Sequence, residues 1–333
     1  MRFQPAWVLE ALEPAHVESV FLPLAPRPET LTWFKRLGIK LFVNHPIESQ
    51  SMLLRAILEN PGETFSDAQK KALPKKPETI LKGADHVFKR WESVLFNRSE
   101  CDFLAAWREV VNRIDEPRQR ELLAAAVRNV IGYWLSVSAV EFTPRFTPDE
   151  LLNYFLGRQA DQIFKGSEPA FALNLPFEEL GDEVESSLYL LPLPILEREL
   201  SAHVTPEKPL NSQTGSAPGL PGMPRPRADE VFHAWWKEKS DLIAAGNEFR
   251  AALKGWTFSW NAPTDWSGMA AKAGKTNMVT CCWSGEEASP RLHEETIAGP
   301  LKAAFVNRFP KADLFMKTAE RRREDYDFLL TLR

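Results

Sequence analysis

The residues best equipped for chemistry fall into a few groups. Lys70, Lys71, Lys75, Lys76 and Lys82 crowd around Pro74 and Pro77, and a local cationic cluster of this kind can hold phosphates. Arg321-Arg322-Arg323 forms a second basic run, with Arg225 and Arg227 nearby in type but far away in sequence. Trp256, Trp260 and Trp266 lie close together with Asn261 and Asp265, offering indole faces on which a base could stack. Each group also has a plain structural reading: a solvated face for the charges, core or rim packing for the indoles. His16, His45, His86, His203, His233 and His293 show no ligand spacing, and Cys101, Cys281 and Cys282 make neither a disulfide framework nor a metal knuckle. No P-loop, EF-hand loop, His-Glu-x-x-His or nucleophile elbow occurs. A metal site is not expected.

Composition narrows the field around those residues. The chain has 333 residues, 44% of them hydrophobic and 26% charged, with a formal net charge of -4. That is enough apolar material for a large core, and it excludes a chain disordered throughout. A slightly acidic balance gives no global positive field, so nucleic acid must be held by a local patch. No apolar run approaches the ~18 residues of a membrane span, and Met1-Arg2-Phe3-Gln4-Pro5 is not followed by a signal core. A reduced, cytoplasmic protein away from membranes is expected.

The elements that must position these groups are legible from periodicity. Residues 18–24 and 39–43 are apolar runs of strand length, separated by a helical stretch, 29–37, that stops at Gly38. That is the start of a βαβ unit with parallel strands. A helical block follows from about 48 to 157, with Leu53/Ile57 and Leu54/Leu58 four apart and a break at Asn60-Pro61-Gly62. Ser66 with Gln69 and Thr147 with Glu150 read as capping boxes, the second with Pro148 at the first helical position. Phe103, Trp107, Val110 and Ile114, then Leu122, Ala126, Val130 and Trp134, are apolar stripes for core packing. Residues 170–175 and 187–191 are strand-like, 232–253 helical, and 256–260, 278–283, 312–318 and 327–332 strand-like, with a helix at 301–309. Prolines 206, 209, 218, 221, 224 and 226, interleaved with glycines, leave no helix or strand between 205 and 229.

These parts predict an α/β fold: a Rossmann-like, methyltransferase-type doubly wound sheet with an inserted helical subdomain. Residues 1–47 begin the α/β domain, 48–160 form the helical insertion, and 161–204 continue the sheet. Residues 205–229 are a Pro/Gly-rich loop or linker, and 230–333 complete the domain.

The stretch Trp33-Phe34-Lys35-Arg36-Leu37-Gly38-Ile39-Lys40-Leu41-Phe42-Val43-Asn44 resembles the helix, turn and second strand of Dam-like DNA adenine methyltransferases, as does Leu58-Glu59-Asn60-Pro61-Gly62-Glu63-Thr64 with the capped helix after it. The similarity covers residues 18–195, with a fainter echo over 256–285. It implies S-adenosylmethionine at the carboxyl ends of the first strands, beside a glycine-rich turn. It also implies DNA held through the helical insertion, at Lys70, Lys71, Lys75, Lys76 and Lys82.

The chemistry-bearing positions depart from that family. The turn after the first strand reads Leu24-Ala25-Pro26-Arg27-Pro28-Glu29, which has no glycine and lacks two N–H donors. Asn44-His45 stands where the family has Asn-Asp, and an imidazole is a poor substitute for a carboxylate acceptor. In place of Asp-Pro-Pro-Tyr, whose first residue draws hydrogen bonds from the target amino group, the chain has Leu191-Pro192-Leu193-Pro194. The expectation is therefore a catalytically degenerate member, a pseudoenzyme that needs no cofactor and binds nucleic acid or a protein partner. Two alternatives stand beside it. One is a divergent active enzyme that uses S-adenosylmethionine and the motif Asn174-Leu175-Pro176-Phe177, although Glu178-Glu179 would repel phosphate next to it. The other is an unrelated α/β interaction protein.

Overall fold

β-Branched and aromatic residues build the first strand, β1 (Ser19–Leu22), and a short helix, α1 (Pro28–Arg36), returns the chain to β2 (Lys40–Asn44). The turn between them is a Schellman stop. Gly38 takes φ +70°, its N–H donates to Lys35 O at 3.3 Å, and Ile39 N–H donates to Phe34 O at 3.2 Å. β1 and β2 pair in parallel, as the βαβ reading requires. The computed structural model describes residues 17–25, 28–137, 146–176, 179–180, 184–192, 226–253, 256, 272, 275–286, 314–322 and 325–332.

The chain divides into two compact units. The first comprises Met1–Pro46, Gly166–Val204 and Leu253–Arg333. It adds β3 (Ala170–Leu173), β4 (Glu185–Pro192), β5 (Lys275–Glu286), β6 (Leu314–Arg322) and β7 (Asp325–Leu332). The sheet order is β3-β2-β1-β4-β5-β7-β6. The first five are mutually parallel, and β7 runs antiparallel to both β5 and β6. Register places Phe171, Phe42, Phe21 and Tyr189 opposite one another on one face of four adjacent strands. Phe21 and Tyr189 are fully buried, whereas Phe171, on the edge strand, is 40% exposed. Near the amino ends of β1 and β4, Ser187 Oγ accepts from Ser19 N at 2.9 Å and donates to Ser19 O at 2.8 Å.

The second unit, Ile47–Lys165 with Thr205–Ala252, is helical. Its elements are α2 (Glu48–Leu54), running on through a π turn over Arg55–Glu59, α3 (Asp67–Ala72), α4 (Glu78–Leu81) and a 3₁₀ turn at Val87–Trp91. Next come α5 (Arg98–Arg113), α6 (Pro117–Val137), α7 (Pro148–Ala160), α8 (Ala228–Trp236) and α9 (Leu242–Ala252). The tryptophans explain its core: Trp91, Trp107 and Trp235 are fully buried, and Trp107 stacks on Trp134 with centroids 5.7 Å apart. Buried indole N–H groups seek acceptors; Trp235 Nε1 donates to Leu104 O at 2.8 Å and Trp91 Nε1 to Ser240 O at 3.1 Å.

One expected boundary moves. Residues 228–252 belong with the helical unit, and the unit that holds the sheet resumes at Leu253. The physical reason is Asp229, 4% exposed at the start of α8. It accepts from Ser49 Oγ at 2.6 Å and Gln50 Nε2 at 3.2 Å, and takes a two-pronged pair of bonds from Arg128 at 2.8 and 2.7 Å. Phe232 and Trp235 follow on the same helix into the apolar cluster. The single helix expected over 232–253 is also two, broken where Glu238 takes φ +52°. The helix expected at 301–309 lies outside the described residues.

Candidate functional site

In open α/β sheets, ligands bind outside the carboxyl ends of the parallel strands, where the strand order reverses. Here the reversal falls between β1 and β4. The residues expected around a cofactor do converge at this end of the sheet. Leu24 and Ala25 follow β1, Asn44 and His45 close β2, and Asn174 and Leu175 follow β3. Leu191 and Pro192 close β4, where the resemblance puts the catalytic strand. Pro26, Phe177, Glu178, Leu193 and Pro194 lie outside the described residues.

Asn44 is the hub of this crevice. It is fully buried, and its side-chain amide donates to Pro23 O at 3.2 Å and Leu175 O at 3.5 Å. Its side-chain oxygen accepts from Leu175 N at 2.8 Å. The backbone extends the stitching: Ala25 N donates to Asn44 O at 2.8 Å, and His45 N to Leu173 O at 3.1 Å. Asn174 completes it by donating its amide to His45 O at 2.8 Å. One amide thus ties together the loops after three strands, each loop satisfying a buried polar group of another. Leu24 at 0%, Ala25 at 2% and His45 at 5% exposure fill the same corner.

Such a corner does not fit a methyl-donor cradle. A cradle needs backbone N–H groups and an acid or amide turned toward the ligand, with glycine to let it approach. Asn44 instead faces the chain's own backbone, and Leu24 and Ala25 put side chains where glycine would leave room. Asn174 is also distant from the strand on which the resemblance places catalysis. It follows β3, three strand positions from β4 in the order β3-β2-β1-β4, or ~14 Å at ~4.8 Å per strand. The structure therefore does not bring Asn174-Leu175-Pro176 beside Leu191-Pro192.

The remaining sequence candidates separate cleanly. Cys101 is buried, and desolvation, reinforced by Glu100, Glu92 and Asp102, pushes its thiol up to about 12, which makes it inert. Cys281 and Cys282 sit on β5, paired with Leu191 and Pro192 of β4. Trp256 is 3% exposed, while Trp260, Trp266, Asn261 and Asp265 lie outside the described residues. Arg321 and Arg322 are on β6, while Arg225 and Arg323 are not described. His86 Nε2 pairs with Asp102 at 2.8 Å, and His233 lies 3.9 Å from Glu48 and 3.8 Å from Glu248. Among the described residues, no group of His, Cys, Asp or Glu side chains is placed to hold a metal ion, and no helix is long and apolar enough to cross a membrane.

The lysines behave differently. Lys71, Lys75, Lys76 and Lys82 are exposed and Lys70 partly so. None of the five has a carboxylate within ion-pair distance among the described residues. Their backbone is firmly held: Ser66 and Gln69 form the expected reciprocal cap at 2.9 and 3.2 Å, and Leu73, Pro74 and Pro77 are buried.

The hub role of Asn44 had a faint signal, an amide closing a strand where a turn begins. Asp229 had none, because its partners Ser49, Gln50 and Arg128 are remote in sequence. No protein-family model, curated protein or solved structure matches the chain.

Proposed function

We propose that this chain is a methyltransferase-like protein that no longer transfers methyl groups, a degenerate relative of the Dam-like DNA adenine methyltransferases. The sheet supports the first half of that reading. Its parallel β3-β2-β1-β4-β5 run is the doubly wound order, with an antiparallel β7 between β5 and β6. The second half rests on one observation: the buried Asn44 side chain is fully engaged with the backbone after β1 and β3. A ligand would have to break those bonds and displace Leu24 and Ala25 before making any of its own. At the end of β4, Leu191 has no acceptor with which to make an amino nitrogen more nucleophilic.

The test is calorimetry of the full chain with S-adenosylmethionine, followed by methyl transfer to unmethylated DNA. No heat and no incorporated methyl are expected. Micromolar binding, or turnover lost in Asn174→Ala, overturns the reading and favours the active alternative.

A further inference from the structure

His233 of α8 stands where three helices of the helical unit meet. Its Nδ1 lies 3.9 Å from Glu48 Oε2 of α2, and its Nε2 lies 3.8 Å from Glu248 Oε2 of α9. Both gaps are just beyond hydrogen-bond reach. We propose that His233 is an acid-sensitive latch: protonation of its ring releases α9 from α8, with residues 237–241 as the hinge.

The surroundings suit a neutral ring. The His233 side chain is mostly buried, and Nε2 is enclosed with no hydrogen-bond partner among the described residues. Its ring packs edge-on to Phe249 of α9. The two carboxylates that would receive a charged ring are already engaged: Lys237 Nζ donates to Glu48 at 3.1 Å, and Lys239 Nζ donates to Glu248. The ring is thus held between two ion pairs whose charges cancel. A proton added to it would be short of both water and a free acceptor.

The other charges beside α8 are matched among themselves. α5 and α6 also pack on this helix, and their Arg108 and Arg128 pair with Glu238 and Asp229. Arg250 of α9 pairs with Glu230. None of them supplies the ring with a counter-charge.

α9 is the element best able to move. Its buried residues are Ala245, Gly246 and Phe249 alone, and a helix held by so few apolar contacts opens locally at low cost. The chain entering it passes through Glu238 at φ +52°, a left-handed conformation that strains any residue with a side chain. Lifting α9 takes Phe249 and Glu248 away from the ring and lets water reach it. Desolvation, the largest influence, holds the closed ring's pKa below 6.5, Lys237 and Lys239 adding to it and Glu48 and Glu248 opposing it. Closure is therefore favoured fully above pH 6.5 and loses ground as pH falls below that value.

The experiment is hydrogen exchange of the full chain at pH 7.5 and pH 5.5, corrected for intrinsic rates and read helix by helix. Protection over 242–252 should fall severalfold, by no more than about tenfold, the limit for one proton taken up with a pKa of ~6.5 in the open form. Protection over 228–236 should fall less, and α6 should change by less than about twofold. His233→Gln should abolish the fall. Lys237→Gln, at a side chain 43% exposed, tests the latch without touching the buried ring: it frees Glu48 to receive the proton, so the fall should shrink. The sheet crevice takes no part in this measurement, and either proposal can fail alone. No fall over 242–252 overturns the latch, as does an equal fall over α6. So does a fall that persists in folded His233→Gln, or one that is as large as wild type or larger in Lys237→Gln.

Discussion

Two regions of this protein hold polar groups at places where ligands commonly sit, and they treat them in opposite ways. At the carboxyl ends of β1, β2 and β3, the amides of Asn44 and Asn174 turn inward onto backbone. From α3 to just past α4, Lys70, Lys71, Lys75, Lys76 and Lys82 are at least partly exposed, with no carboxylate within ion-pair distance among the described residues. Residue type alone would rank the asparagines as the better catalytic candidates. Availability reverses the order, because a buried donor already bonded to the fold must lose that bond before it can serve a ligand. The helical unit shows both treatments at once: Asp229 is buried and held by four bonds, while the lysines are at least partly exposed and in no ion pair among the described residues.

The sharpest way to break this contrast is at Asp229. Asp229→Ala leaves the Arg128 guanidinium without its two-pronged partner and Ser49 without its acceptor. Removing one partner of a buried charge pair costs about 3–5 kcal/mol, enough to lower the helical unit's Tm by ~6–20 °C at ~2–4 °C per kcal/mol. The tryptophans packed in that unit's core make intrinsic fluorescence the natural reporter of its melting. Lys75→Gln, at an exposed position, should by contrast stay within ~0.5 kcal/mol of wild type. Similar melting losses in both variants would erase the distinction between polar groups that hold the fold and polar groups left free.

Asn44→Ala comes next. It strands Leu175 N–H and Pro23 O in a buried corner and opens a small cavity, for a loss of about 2–3 kcal/mol in urea unfolding. A loss under ~0.5 kcal/mol would mean that the corner is open and solvated, as a ligand site should be. Asn44→Asp sharpens the point. It keeps the shape, but it sets a carboxylate against the carbonyls of Pro23 and Leu175, so it should destabilise at least as much as alanine.

Much of this was legible in the sequence, for identifiable reasons. The Gly38 stop, the Ser66 cap and the first βαβ unit depend on neighbours within a few residues, where spacing carries the information. The stripe of Phe103 and Trp107 declared a core helix for the same reason. The return of α8 and α9 to the helical unit was not legible, because it depends on Asp229 meeting Arg128 across a hundred residues of chain. At the crevice, the absence of glycine near Leu24 and of an acid at His45 could be read directly. That Asn44 joins three loops could not, since the partners of its side chain, Pro23 O, Leu175 O and Leu175 N, are backbone atoms that any residue type would supply. The place of Asn174 was not legible either: spacing alone cannot tell the end of β3, where it stands, from the end of β4.

The smallest expected effect concerns acid, and it separates the two units by titration. His233 of α8 is mostly buried; desolvation lowers its pKa below 6.5, with Glu48 and Glu248 pulling it up and Lys237 and Lys239 pushing it down. Its ring also packs edge-on to Phe249, centroids 5.9 Å apart. A base whose folded-state pKa is depressed takes up its proton more readily when unfolded, so its contribution is fully present above pH 6.5 and falls as pH drops below that value. Asn44 and Asn174, which tie the crevice loops together, are amides that do not titrate, and the bonds His45 makes to Leu173 and Asn174 are made by its backbone. Hydrogen exchange, corrected for intrinsic rates, should therefore show protection over 228–252 falling between pH 7.5 and pH 5.5, while the amides of Ala25 and Leu175 hold theirs. His233→Gln should flatten the first trend and leave the second alone. A parallel loss at Leu175 would mean that the crevice responds to acid after all, and that its amides are less firmly committed to the fold than their geometry implies.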